Sequence, residues 1–134
     1  MASSDIVHVL RGCLTESEPQ VVAAYLFGSS GRGEARETSD LDVAVLLRGA
    51  APRTLDELPL SLAAEIEQAT GRRVDLVVLN SAPVDLVHRV LRDGVLLLDR
   101  ERAARLRFEV GARNRFFDLL PVLREYRRPR ASAP

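Results

Sequence analysis

The sequence contains no lysine and only one cysteine. Because all 19 basic residues are arginine, we attribute the lack of lysine to coding bias, although arginine also favours bidentate contacts with phosphate and carboxylate groups. Cys13 has no second cysteine to pair with, so no internal disulfide forms, which fits a reducing compartment. No apolar run approaches the roughly 20 residues of a membrane span, and no signal peptide is visible. We therefore expect a cytoplasmic protein without membrane association.

The chain also lacks net charge, so no overall field recruits nucleic acid, and direct nucleic-acid binding is not expected. The charges are nevertheless unevenly distributed. Residues 1–99 carry 9 arginines against 15 acids, which gives −6, whereas residues 100–130 carry 10 arginines against 4 acids, which gives +6. The length of 134 residues predicts one domain, 1–134, with a basic C-terminal helical arm at about 100–128. Such an arm suits an acidic partner.

Apolar periodicity and turn residues predict an α+β fold, with one small mixed β-sheet and helices packed against it. We expect Pro121 to interrupt the arm or end it early. We also expect Leu106, Val110, Phe117 and Leu120, which recur at helical spacing, to pack on the domain. The predicted elements are a first helix capped by Ser3 or Ser4, strands at 21–27 and 41–47, a helix at 54–70, a strand at 73–79, a helix at 83–93, a strand at 95–98 and the arm.

Two carboxylates stand at the head of the second predicted strand. Asp40 and Asp42 are two residues apart, so both point to one face, with Cα atoms roughly 6.6 Å apart. Carboxylates at this spacing can hold two divalent ions about 3.5–4 Å apart, and hard oxygen ligands suit Mg²⁺ or Mn²⁺. Asp75 holds a matching place on the next predicted strand and would add a third carboxylate. We predict a metal site formed by Asp40, Asp42 and Asp75.

A glycine–serine turn precedes these carboxylates, with ten residues between Ser29 and Asp40. Gly28 allows the backbone to approach a ligand closely. Ser29 opens what reads as a helix N-terminus, where free N–H groups favour anions. Ser30 and Arg32 add further donors. We predict that Gly28, Ser29, Ser30 and Arg32 bind the phosphate tail of a nucleotide.

Other phosphate- and metal-binding motifs fit this stretch poorly. The spacing from Gly28 to Gly33 begins like a P-loop, but Glu34-Ala35 replaces the required Lys-Ser/Thr. A dinucleotide-binding loop would need a third glycine where Arg36 stands. Asp40-x-Asp42 lacks the downstream glycine and glutamate of a calcium loop.

The full pattern of Gly28-Ser29, Asp40-x-Asp42 and Asp75 resembles the nucleotidyltransferase superfamily that includes DNA polymerase β and kanamycin nucleotidyltransferase. Around this pattern, Arg32-Gly33-Glu34 and Ser39-Asp40-Leu41-Asp42 resemble the small, single-domain minimal nucleotidyltransferases (MNT). These are typically the antitoxins of MNT–HEPN toxin–antitoxin pairs. The resemblance covers most of residues 20–126. It departs at Ser30-Gly31, where related sequences often carry a bulkier or basic residue.

The resemblance implies a polymerase β-like fold and a Mg²⁺-dependent enzyme that moves AMP from ATP onto a hydroxyl. The acceptor would be a tyrosine of a cognate HEPN toxin, bound in a hetero-complex. Asp40 and Asp42 would hold two metal ions, and Asp75 would hold the catalytic one and accept or orient the acceptor proton. Gly28 and Ser29 would bind the β- and γ-phosphates. Two alternatives stay open: an antitoxin that neutralises its toxin by binding alone, and a small-molecule (antibiotic) nucleotidyltransferase.

Overall fold

The structure is a computed structural model that describes residues 3–28, 40–49 and 52–127. The element order confirms the predicted α+β fold. A single 3₁₀ turn at Leu79–Ser81 separates the third strand from the helix that follows it. The elements are α1 (Ser3–Thr15), β1 (Val21–Phe27), β2 (Leu41–Leu47), α2 (Pro52–Thr70), β3 (Val74–Val78), α3 (Val84–Asp93), β4 (Val95–Asp99) and α4 (Arg102–Arg127).

The four strands form one mixed sheet in the order β3-β2-β1-β4. β1 pairs antiparallel with both β2 and β4, whereas β2 and β3 run parallel. The two central strands are almost wholly buried, as their continuous apolar sequences predict for strands covered on both faces. The parallel pair matters most for the site, because both of its strands begin at the same edge of the sheet.

Helices cover both faces of the sheet. On one face, α1 and α2 pack against the strands through five buried aliphatic side chains: Ile6, Leu10, Leu14, Leu62 and Ile66. On the other face, α3 contributes Val87 and Val90, and α4 contributes Ala112. Complete burial of a large aliphatic side chain is worth about 1.5–3 kcal/mol, so both layers stabilise the sheet. Across the described ranges, no helix combines the length and apolarity needed to span a bilayer.

Two helix starts differ slightly from the predictions. α2 begins at Pro52, two residues earlier than predicted, because a proline in the first turn loses no hydrogen bond there. The same helix contains a second proline, Pro59, in its interior. α3 begins at Val84, with Pro83 in the N-cap position.

The prediction that Pro121 ends the arm early is wrong, because α4 continues through it to Arg127. Proline lacks the N–H that would bond to the carbonyl of Phe117, four residues earlier. Phe117 is 61% exposed, so this turn of the helix lies at the surface. The helix therefore tolerates this proline at the surface.

The prediction that the apolar residues of the arm pack on the domain is also wrong for three of the four. Leu106 is 40% exposed, Val110 is 54% exposed and Phe117 is 61% exposed, while Leu120 is partly buried. α4 instead packs through Phe108 and Ala112, with the ring of Phe116 stacked on His88 at a centroid distance of 3.5 Å. This stacking occupies one face of the Phe116 ring.

A buried polar network fixes this orientation of α4. Tyr25 of β1 donates from Oη to Oε2 of Glu109, 2.8 Å away, and Glu109 is only 8% exposed. Arg105 donates to the same carboxylate at 2.7 Å and pairs with Asp99 at 3.0 Å. Burial, followed by the bond to Glu109, raises the pKa of Tyr25, so its hydroxyl remains a donor. A buried charge must be paired, so this network turns the Glu109 side of α4 inward.

The start of the arm is anchored by Arg100, which precedes α4. Its half-buried guanidinium donates to the carbonyls of Leu14, Thr15, Ser17 and Glu18 at 2.6–3.1 Å. These carbonyls lie at and beyond the end of α1, where helix carbonyls lack partners within the helix. One arginine of the basic arm is thus structural.

Candidate active site

The parallel pairing of β2 with β3 brings two carboxylates side by side. Asp42 is the second residue of β2, Asp75 is the second residue of β3, and the two are direct partners in the register. Paired residues on neighbouring strands lie on the same face, with the strands about 4.8 Å apart. Asp40 precedes β2 and is exposed. The three carboxylates of the predicted metal site therefore lie at one edge of the sheet.

Asp42 carries the electrostatic cost of this arrangement. Burial raises the pKa of its carboxyl, the charges of Asp75 and Asp40 raise it further, and Arg89 opposes them. A cluster of carboxylates that repel one another gains stability from a bound cation, and oxygen ligands suit Mg²⁺.

The donor set therefore fits a divalent ion, although within residues 3–28, 40–49 and 52–127 no three potential ligands are arranged around a single metal position. Asp40 and Asp75 are exposed, so a cation can draw their side chains together.

Gly28 connects the end of β1 to this cluster. Its φ of +69° lies in the left-handed region, which favours glycine. A Cβ at this position would collide with Oδ2 of Asp42. Asp42, the second residue of β2, is the register partner of Phe27, which precedes Gly28 in the chain. We predicted a close approach to phosphate at Gly28, and the neighbour that the structure shows is the Asp42 carboxylate. Ser29, Ser30 and Arg32 lie outside the described residues.

These residues open onto a cleft of about 380 Å³ between the sheet edge and α3. Phe27, Val77 and Leu86 form its apolar wall, and Gly28, Asp42, Asp75, Arg89 and Asp93 supply its polar lining.

Sequence reasoning missed Arg89 and Asp93. Leu86, Arg89 and Asp93 are spaced so that they share one face of α3. This spacing could indicate cleft residues only once it was known that this face points towards the cleft. The charge of Arg89 acts on Asp42 and lowers the pKa of that carboxyl.

The polymerase β nucleotidyltransferase family model matches residues 13–103, which is 91 of the 134 residues. The chain is 38% identical over 82 residues to the protein adenylyltransferase MntA of Shewanella oneidensis. That alignment covers 60% of this chain and 56% of the relative, so the match spans little more than half of the relative's length.

Solved structures share the fold over nearly the whole chain. One chain of a crystal structure of a toxin–antitoxin complex with AMP-PNP is 28% identical, with a TM-score of 0.72, and covers 90% of this chain and 93% of its own length. A structure of the tri-AMPylated Shewanella oneidensis HEPN toxin in complex with MNT antitoxin gives 24% identity, a TM-score of 0.69 and coverage of 92% and 93%, which supports the fold alone. The chain belongs to the polymerase β nucleotidyltransferase family.

Proposed function

We propose that the protein is a Mg²⁺-dependent protein adenylyltransferase that moves AMP from ATP onto a tyrosine hydroxyl of a cognate HEPN toxin and thereby acts as an antitoxin. The observation that carries this proposal is the pairing of Asp42 with Asp75, with Gly28 packed against Asp42 at the mouth of one cleft. The name of the Shewanella oneidensis relative supports the reaction, and the AMP-PNP complex supports the nucleotide. The single free cysteine supports a reducing compartment, the cytoplasm.

In this reaction, the acceptor oxygen attacks the α-phosphorus of ATP. The bond from that phosphorus to the β-bridging oxygen breaks, and pyrophosphate leaves with the bonding electrons. Two Mg²⁺ ions, which Mn²⁺ can replace, would supply charge neutralisation and polarise the phosphate. Asp40 and Asp42 would hold both ions, and Asp75 would hold the catalytic one while accepting or orienting the acceptor proton.

The remaining residues bind the nucleotide. Backbone N–H groups of the Gly28-Ser29 turn would bind the β- and γ-phosphates, with Ser30 and Arg32 as additional donors. Arg89 would stabilise the negative charge of the departing pyrophosphate, because its side chain lines the cleft beside Asp42. Catalysis consists mainly of positioning and electrostatic stabilisation, as in other phosphoryl-transfer sites.

The direct test is to incubate the protein with ATP labelled at the α-phosphate, Mg²⁺ and the product of the neighbouring gene. We expect label on a tyrosine of that product, located by mass spectrometry, and its loss with Asp42→Asn. A wild-type protein that binds the product but transfers no label would overturn the proposal.

The exposed apolar residues of α4 favour a second candidate, an antitoxin that neutralises its toxin by occlusion. The two functions separate in cells that express the toxin. Under the occlusion hypothesis, a folded Asp42→Asn protein still protects the cells, whereas under the transfer hypothesis protection is lost.

A further inference from the structure

Three large apolar side chains form an exposed stripe on α4. Leu106, Val110 and Phe117 are 40%, 54% and 61% exposed, and their spacing of four and seven residues places them on one helical face. We call these three residues the α4 stripe. A shallow groove with a mostly apolar lining includes two residues of the stripe, Leu106 and Val110, and is completed by Ala103, Arg107, Gly111 and Asn114. The guanidinium of Arg115 lies 3.4 Å from the position that a Cβ on Gly111 would occupy, so an arginine borders this groove.

The stripe is exposed within the part of the chain that the structure describes. Of the residues outside that part, 29–39, 50–51 and 128–134 contain no valine, leucine, isoleucine, methionine or aromatic residue, and 1–2 contain only Met1 of this kind. An apolar face of this kind, bordered by charged residues, is typical of a protein–protein interface. The cover is therefore expected to come from another molecule.

The charges around the stripe distinguish between possible partners. Among the side chains of α4 whose exposure the structure describes, the exposed charged residues are five arginines and two acids, which gives +3: Arg102, Arg107, Arg113, Arg115, Arg124, Asp118 and Glu125. A second copy of α4 paired about Val110, in either direction, would bring Arg107 and Arg113 against arginines. Like charges at an interface centre are unfavourable, so the surface fits a partner with carboxylates at these places.

We propose that the α4 stripe docks a partner helix that presents an apolar face flanked by aspartate or glutamate. The partner is the toxin acceptor, so this inference rests on the proposed function. The apolar side chains of the stripe supply most of the affinity, and the flanking arginines supply association rate and register. The sequence predicted a docking role for the arginines of the arm, and the exposed stripe adds an apolar centre to it.

The test uses Val110→Asp, with Leu60→Asp as the matched control. Leu60 is 75% exposed on α2, so both changes put a carboxylate in place of an exposed aliphatic side chain. Calorimetry with the product of the neighbouring gene measures partner affinity, and AMP-PNP with Mg²⁺ measures the state of the nucleotide site. We expect Val110→Asp to weaken partner binding about 30-fold or more, the loss typical of an interface hot spot. Leu60→Asp should leave it unchanged, and both variants should bind AMP-PNP normally.

A third variant, Arg107→Glu, tests the charge of the partner. Its affinity loss should be clear at low salt and shrink at high salt. Undiminished partner affinity in Val110→Asp, or no binding by wild type, would overturn the inference. So would a wild-type dimer in sedimentation velocity that Val110→Asp abolishes, because the occupant would then be a second copy. Partner binding that Val110→Asp destroys, without any AMP transfer by wild type, would overturn only the proposed function.

Discussion

Replacing Asp42 with asparagine should stabilise the metal-free protein. The substitution removes one of two carboxylates that face each other across β2 and β3, and the repulsion between them disappears with the charge. For charges about 6 Å apart, Coulomb's law gives roughly 0.7 kcal/mol in water and roughly 2.8 kcal/mol at an effective dielectric constant of 20. Because Asp75 is exposed and Asp42 is half-buried, we expect a gain near the lower end, about 1 kcal/mol.

The assay is thermal unfolding in EDTA at pH 7, where a gain of about 1 kcal/mol raises Tm by about 3–5 °C in a domain of this size. Asp118→Asn is the matched control, because it removes one exposed carboxylate from α4, away from the cluster. In the presence of Mg²⁺ and ATP, AMP transfer by Asp42→Asn should instead fall more than about 100-fold.

The pH dependence provides an independent check. The folded pKa of Asp42 is raised above its usual 3.8, so ionisation costs more in the folded state than in the unfolded state. The stability that the protonated carboxyl retains below pH 3.8 is lost as the pH rises through the folded pKa. The difference in the free energy of unfolding between wild type and Asp42→Asn should therefore be largest at neutral pH and should disappear below about pH 3.8. An equal or lower Tm for Asp42→Asn in EDTA at pH 7, or a gain that persists in acid, would refute charge repulsion as the cause.

Three further changes test other parts of the site and fold. Gly28→Val should abolish calorimetric binding of AMP-PNP, because the side chain meets a strained φ and displaces the Asp42 carboxylate; binding equal to wild type would remove this role. Arg89→Gln should weaken the binding of inorganic pyrophosphate with Mg²⁺ about tenfold, whereas Arg92→Gln, on the same helix but already paired with its neighbour, should not. Tyr25→Phe should lower the free energy of unfolding by about 1.5–3 kcal/mol in urea, since the buried glutamate of α4 loses a donor; a loss below 0.5 kcal/mol would show that this bond is dispensable.

The helices and strands and the carboxylates of the predicted metal site could be predicted from the sequence, because both depend on residues close together in the chain. Continuous apolar runs define β1 and β2, and the pairing of Asp42 with Asp75 follows once two strands beginning at one edge run parallel. The orientation of α4 was not predictable in this way. It depends on a bond between Tyr25 and Glu109, which are 84 positions apart, and the helix carries apolar residues on both of its sides. Arg89 was missed for the same reason, since its role depends on the rotation of α3.

Strand β1 has a mechanical consequence for the proposed reaction. Its Tyr25 holds the helix on which a partner would dock, and three residues further on, Gly28 touches the carboxylate of Asp42. That separation is about 10 Å of extended backbone. One continuous strand would therefore fix the distance between a docked partner and the reacting phosphate. The acceptor would accordingly be selected by its reach from the docking helix, more than by the residues that surround it.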